Sequence, residues 1–493
     1  LRPRGYQRES FAGRPAHPID AQTIDAMKHF IRNAMRQLQI PGVAFSLIDG
    51  GRIVYDGGLG VRELGKPDPI DADTLFLVAS NTKALSTLML AELVDEKKLR
   101  WDEPVVEAYP SFQLGDADTT RAVRIKDLVC ACTGMPRRDF VWLFDDGHGT
   151  PETMMQSLAT LQPTSKFGEV FQYSNEMAAA AGYVGASIAV PGKELGAAYD
   201  EAMQRRVLDP LGMTRSTFDY ARAMQGDYAR PHDADIDGDT VVTPITYNYA
   251  GIPLRPSNGL WTSAHDLSQY VMLELAKGKL PNGQRLVSEQ NLLQRRVPNV
   301  VKNEDEVYGM GLDIDRSWGV TVIHHGGSMM GYKSDMIWFP DYDVGAVILT
   351  NANHGEDLVG PFRRKLAELL FDGKPEADGQ IAAAVADRDI EDALYRAHLQ
   401  VPADPVASGK LAARYLNPVL GPIEVTRKGA DVYFHAGMLN PEVATRRNDD
   451  GSTSFIVISP NLARGRVYTV GEQDHKRTLI LRDDQHEYVF VEQ

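Results

Sequence analysis

Residues 80–99 read SNTKALSTLMLAELVDEKKL. Leu85, Leu88, Met89, Val94 and Leu99 recur at helical spacing and the charged DEKK run closes the exposed end, so the spacing predicts a helix beginning at or beside Ser80. A separation of three residues puts Ser80 and Lys83 on one face, less than a turn apart. Amine-assisted activation of a hydroxyl needs that geometry. A serine hydroxyl is a poor nucleophile at neutral pH, and a lysine whose ammonium is disfavoured by burial or by nearby positive potential acts as its base. The helix N-terminus adds donors where an oxyanion would form. The alternative is a capping serine beside a surface lysine. About one Ser-x-x-Lys is expected by chance in a chain of this size, and this is the only one present.

Upstream, Ile24, Met27, Ile31, Met35 and Leu38 predict a helix over 21–38, and Val43 to Ile48, Gly50-Gly51 and Ile53 to Tyr55 predict a hairpin. Downstream, helices are expected at 151–161, 175–188, 196–207, 264–277, 288–294 and 359–371, and strands at 318–325, 333–339 and 344–350. Those strands should pair with the early hairpin, giving an α+β fold in which an antiparallel sheet from both ends of a domain carries a mostly helical insertion. A helix at about 378–398 then leads to Pro402-Ala403-Asp404-Pro405, and short β runs over 413–493 suggest a small antiparallel barrel or sandwich. The expected units are an N-terminal arm (1–18), a catalytic domain (19–372), a linker with a helix (373–405) and a barrel-like domain (406–493).

The 493 residues are 43% hydrophobic and 24% charged, enough apolar mass for a large core. A net charge of −15 without a sizeable basic patch excludes nucleic acid and anionic membrane as partners. No run approaches the roughly 18 apolar residues of a membrane span, and the N-terminus lacks the apolar middle of a secretory signal. The chain starts at Leu1, which leaves room for a removed leader. Cys130 and Cys132, one residue apart, are expected to be small buried residues without a disulfide. Asp233 to Asp239 resembles the start of a calcium loop, but Pro244 stands at the twelfth position, so a polar hairpin turn is expected there.

Three elements, Ser80-x-x-Lys83, Tyr173-Ser174-Asn175 and His325-Gly326-Gly327, follow one another in order. In this the chain resembles the penicillin-recognising serine hydrolases near class C β-lactamases, the branch of D-aminopeptidases, DD-peptidases and β-lactamase-fold esterases. Secondary signatures agree: Pro210-Leu211-Gly212-Met213, residues 257–263 (SNGLWTS) ahead of Asp266-Leu267, and Leu349-Thr350-Asn351-Ala352. The resemblance covers roughly residues 20–370. It implies a β-lactamase-like sheet flanked by helices, with a lipocalin-like barrel after it.

By that resemblance Ser80 is the nucleophile, Lys83 and Tyr173 carry its proton, and Asn175 and His325 position base and substrate. The backbone N–H groups of Ser80 and Ser328 form the oxyanion hole. A neighbouring ammonium would favour a Tyr173 phenolate, making it a candidate base. Gly326 and Gly327 remove side chains beside the sheet so that a substrate backbone can approach. Two rival matches, Tyr415-Leu416-Asn417 and His435-Ala436-Gly437, lie in the C-terminal unit, and His324 should face away from His325 along the strand.

Penicillinases of this family carry Lys-Thr-Gly where this chain has His-Gly-Gly. A histidine near pKa 6.5 is mostly neutral at pH 7 and gives no fixed charge for a substrate carboxylate. That argues against penicillinase or carboxypeptidase activity, and the His form resembles D-aminopeptidases and related peptidases or esterases. Because the C-terminal barrel resembles that of peptidase relatives, the resemblance implies a serine peptidase or amidase acting on short peptides, some with D-residues, working without cofactor or metal. Two alternatives stay open: a carboxylesterase of the same fold, and an inactive receptor for peptidoglycan fragments or a partner. The resemblance suggests a bacterial periplasmic or secreted place, with a cytoplasmic one still open. Oligomeric state is not legible.

Overall fold

The computed structural model describes residues 8–145, 147–460 and 464–493. Its centre is an eight-stranded sheet. In chain order the strands are β1 (Gly42–Asp49), β2 (Arg52–Gly60), β3 (Val300–Val301), β4 (Glu306–Tyr308), β5 (Asp313–Asp315), β6 (Val322–Met329), β7 (Tyr332–Phe339) and β8 (Val344–Thr350). In space the order is β2-β1-β8-β7-β6-β5-β4-β3. β1 pairs antiparallel with β8, Val43 opposite Thr350, so both ends of the domain share one sheet as expected.

Both faces of this sheet are covered, which is why β1 reads as an apolar run from Val43 to Ile48 interrupted only by the buried Ser46. Val43, Phe45 and Leu47 point into one core with Ile337, Ala346 and Ile348. Ala44, Ile48, Trp338 and Leu349 point into the other. The first core is closed by α1 (Ala21–Gln37) and the helix Glu356–Phe371. Asp20 caps α1 by accepting from Thr23 N at 2.8 Å. The second core holds α2 (Thr82–Asp95), buried on nearly all sides rather than along one stripe.

Residues 8–20 have no regular structure, yet they are more than a lead-in. Phe11 is fully buried, stacks on Phe371 at 5.2 Å and donates its N–H to Trp318 O. Residues 1–7 of the expected arm lie outside the described residues.

The cysteine expectation is overturned. Cys130 and Cys132 form a disulfide with their Cα atoms 5.1 Å apart. Ala131 between them adopts φ +51°, and that left-handed residue folds the chain back far enough to bring the two side chains together. An extended or helical segment would have held them apart. At the acidic loop a hairpin is found, His232–Ala234 with Thr240–Val242, whose turn is held by Asp235 Oδ1 accepting from Asp237 N and Asp239 N.

After the helix Ala377–Ala397, eight antiparallel strands between Arg414 and Glu492 close into a barrel, the first pairing the last and Glu442–Arg447 pairing Thr453–Val457. The short helix α3 (Asp139–Leu143) of the catalytic part is packed into this barrel's core: Phe140 lies 5.7 Å from Tyr488 and Phe144 lies 5.9 Å from Phe490. Gly437 sits at φ +56° so close that a Cβ there would fall 2.2 Å from Phe144 O.

Candidate active site

Ser80 is presented by a strained turn. Ala79 before it takes φ +47°, which costs an L-residue about 1–2 kcal/mol. The turn is held from several sides: Val78 O accepts from Asn81 Nδ2 and Ser334 Oγ, each at 3.0 Å, and Ala79 O accepts from Thr82 Oγ1 at 2.6 Å. Gly327 on β6 completes the clamp. A Cβ there would stand 2.2 Å from Val78 O, so only glycine lets β6 pass this close.

Lys83 lies one turn on and is 2% exposed. Its Nζ is 3.0 Å from Ser80 Oγ, 2.8 Å from Asn175 Oδ1 and 2.9 Å from Ser257 O. Burial first, then the charge of Arg137, pulls its pKa well below the usual lysine value, against an opposing pull from Asp139. Nζ donates to all three oxygens, and once the amine is neutral two N–H bonds serve the two carbonyl oxygens while its lone pair accepts the Ser80 O–H. Gly311, at φ +71°, packs against the Lys83 Cβ from the far side.

Asn175 opens the helix Asn175–Ala189, whose cap is Ser174, accepting from Met177 N. Its amide orientation is fixed because Nδ2 donates to Asp139 Oδ1 at 3.0 Å. Asp139 also pairs with Arg137 Nε at 2.6 Å.

Tyr173 sits over Lys83, Nζ 4.6 Å from the ring centroid, with its hydroxyl beside Ser80. Burial drives its pKa upward, against opposing pulls from Ser80 and Arg137, which favours the phenol form, and burial likewise disfavours the ammonium of Lys83. Tyr173 packs edge-on against Tyr308, whose hydroxyl lies 3.0 Å from His325 Nε2. His325 Nδ1 is 2.7 Å from Gly326 O, a partner that only accepts, so the proton sits on Nδ1 and Tyr308 donates to Nε2. Burial pulls the His325 pKa down to about 4, leaving the imidazole neutral.

All eight sequence candidates converge. Ser80, Tyr173, Asn175, His325, Gly326, Gly327 and Ser328 line one cleft of about 830 Å³, and Lys83 lies beneath its floor. β5 pairs with β6 only from Val322 to His324, so residues 325–329 have a strand partner on one side alone, the side of β7. His324 turns to the other face, toward Arg363 and Asp335. The rival matches are occupied in the barrel: Asn417 Nδ2 donates to Val489 O, and His435 pairs with Thr426. Tyr308, Asp139, Arg137 and the Ser257 carbonyl escaped the sequence reading. Tyr308-Gly309-Met310-Gly311, an aromatic among glycines, was the available hint for the first.

Among the described residues two clusters have the donor types of a metal site. In one, Glu306 and Asp313 already share the Lys302 ammonium while Arg363 covers His324; in the other, the disulfide takes both sulfurs beside Asp127. Neither donor set fits a resident cation.

A family model described as Beta-lactamase matches residues 27–369. Among curated proteins the chain is similar to "Unguisins hydrolase ungD'" of Aspergillus campestris, 24% identical over 365 residues, covering 70% of this chain and 64% of that one. It is also similar to "Protein flp" of Staphylococcus aureus, 23% identical over 340 residues, 67% of this chain and 63% of that one. The matched part thus spans a little under two thirds of these relatives' length. Among solved structures, the octameric penicillin-binding protein homologue from Pyrococcus abyssi matches with a TM-score of 0.56 at 23% identity, over 95% of this chain and 100% of that one, a likeness of fold.

Proposed function

Because the chain belongs to the beta-lactamase family, whose fold is generally that of serine hydrolases, we propose that it is a serine peptidase or amidase that works through an acyl-enzyme on Ser80. The observation that carries this reading is the partner set of Lys83: two carbonyl oxygens and one serine hydroxyl around a buried amine. Neutral Lys83 takes the Ser80 proton as Oγ attacks the substrate carbonyl carbon. The backbone N–H groups of Ser80 and Ser328 hold the oxyanion. Lys83, now an ammonium, gives its proton toward the leaving nitrogen, with Tyr173 as the phenol that relays it. Water then enters by the reverse route and releases the acid. Tyr308 and His325 are positioning residues that keep the Tyr173 hydroxyl in place.

Short peptides are the proposed substrates. The unpaired side of β6 at residues 325–329 offers backbone groups for an extended chain to pair with. A neutral His325 supplies no fixed charge there, which argues against penicillinase activity. One relative is named a hydrolase of unguisins, in keeping with a hydrolytic role. Among the described residues no helix is long and apolar enough to cross a membrane; a periplasmic or secreted place belongs to the same proposal.

A side-by-side rate comparison tests the reading, using p-nitrophenyl esters, D- and L-aminoacyl anilides, linear peptides and a chromogenic cephalosporin, each with the Ser80→Ala protein as blank. Turnover of anilides or peptides that vanishes in Ser80→Ala is expected. Turnover of esters alone would replace it with the carboxylesterase reading.

A further inference from the structure

Seven side chains of fixed charge line the cleft that opens on Ser80. Six of them form three ion pairs: Arg137 with Asp139 at 2.6 Å, Lys302 with Asp313 at 2.6 Å and Lys333 with Glu356 at 3.3 Å. The seventh is Arg466, which the barrel brings to the cleft just ahead of its strand Val467–Gln473. Among the described residues no carboxylate reaches it within 4.0 Å and no hydrogen bond engages its guanidinium. It lies over the face of Phe140, with the guanidinium carbon 3.9 Å from the ring centroid. Burial lowers its pKa to about 10, against through-space pulls from Tyr468, Asp483 and Asp139.

Arg466 is partly buried, and a partly buried cation with no counter-ion among the described residues costs stability, since such groups are normally paired. It is not part of a basic surface either, since the chain carries a net −15. The Phe140 beneath it is fixed in the barrel core by Phe144 and Tyr488, so the guanidinium is stacked on a rigid platform. Among the described residues, one unmatched positive charge beside three neutral pairs calls for one negative charge from a ligand. A planar guanidinium suits a carboxylate, which it can bind through two parallel N–H bonds. A doubly charged phosphate would leave a surplus beside Asp139, Asp313 and Glu356.

We propose that Arg466 anchors a carboxylate of the substrate, so that the preferred substrate is a short peptide carrying a free carboxylate on the barrel side of the scissile bond. The proposal rests on the hydrolase reading for the reaction but not for the binding. The carboxylate comes from the peptide's C-terminus or from an acidic side chain near it.

Calorimetric titration of the full-length Ser80→Ala protein separates these, because it reads binding without turnover. The probes are N-acetyl-Ala-Ala as the free acid, the same peptide as the C-terminal amide, and N-acetyl-Ala-Glu as the C-terminal amide. The free acid or the glutamate peptide, whichever source applies, is expected to bind at least tenfold more tightly than the neutral amide. Adding Arg466→Gln should erase that preference and Arg466→Lys should keep part of it. Equal affinities for all three probes, a preference that survives Arg466→Gln, or no binding of any probe at millimolar concentration would overturn the proposal. In the otherwise wild-type chain, Arg466→Gln should leave the melting temperature unchanged or raise it, and a fall of more than 5 °C would show a structural role instead. A carboxylate preference found in a protein that never acylates Ser80 would sink the hydrolase reading while leaving the anchor in place.

Discussion

Asn175 holds Lys83 by its Oδ1, 2.8 Å from Nζ, and so fixes where the amine points. Behind Asn175 stands Asp139, on a helix whose next residue, Phe140, is packed in the barrel core. The barrel therefore reaches the base through two hydrogen bonds.

Two charges act on Lys83 in opposite senses, and variants should separate them. Arg137 lowers its pKa and Asp139 raises it. Activity needs the neutral amine, so kcat/KM should rise with pH through the Lys83 pKa. In Arg137→Gln that rising limb should move to higher pH, and in Asp139→Asn to lower pH. Asp139→Asn should also lose about 10–100-fold in rate, because the Asn175 amide loses its fixed orientation, an effect on the scale of one or two strong hydrogen bonds. Two limbs moving the same way would contradict the assignment.

Lys83→Met should abolish turnover yet keep or improve stability. Residues held for catalysis commonly cost the fold stability, and relief of the buried amine's desolvation offsets the donors lost to Asn175 Oδ1 and Ser257 O. Chemical denaturation beside an activity assay checks both. A large loss of stability would mean that the lysine serves the fold.

His325 makes stability depend on pH with a definite sign. Its folded pKa of about 4 lies below the unfolded value of 6.5, so the unfolded chain binds the extra proton first. The contribution is fully present above pH 6.5 and is lost as the pH falls through 4. A shift of this size corresponds to about 3 kcal/mol as an order of magnitude. The stability of His325→Gln should therefore vary less than that of wild type between pH 7 and pH 4, as read by denaturant midpoints. Parallel curves would contradict a neutral buried imidazole.

The two glycines of β6 should behave differently. Gly327→Ala forces a Cβ against Val78 O and should cost about 2 kcal/mol or more, with activity lost as the Ser80 turn shifts. At Gly326 a Cβ meets nothing nearer than Ser334 O at 3.8 Å. Gly326→Ala should keep its melting temperature and raise KM if a substrate chain lies there. Matching losses of stability in both variants would remove the distinction.

Much of this was legible in the chain because periodicity and residue type act locally. The hairpin at 43–55 and the strands at 333–350 declared themselves by apolar runs, and their pairing followed from needing a common sheet. Ser80, Lys83, Tyr173, Asn175 and His325 were recoverable because their motifs are short and ordered. Asp139 and Tyr308 were not, since each acts through one contact made only when distant loops meet, and neither sits in a repeating pattern. The Cys130–Cys132 bond was misread because it depends on one left-handed alanine, which no side-chain pattern announces. Arg466 was invisible for a further reason: its significance is that no carboxylate among the described residues pairs with it, and that exists only in three dimensions.

The central claim, a serine activated by a neutral buried amine, is tested most directly by intact-mass and peptide-mapping spectrometry after exposure to a fluorophosphonate. A single adduct on Ser80 is predicted for the wild-type chain, none for Ser80→Ala, and labelling slowed at least a hundredfold in folded Lys83→Met. Unchanged labelling in Lys83→Met, or an adduct on any other residue in place of Ser80, would contradict it.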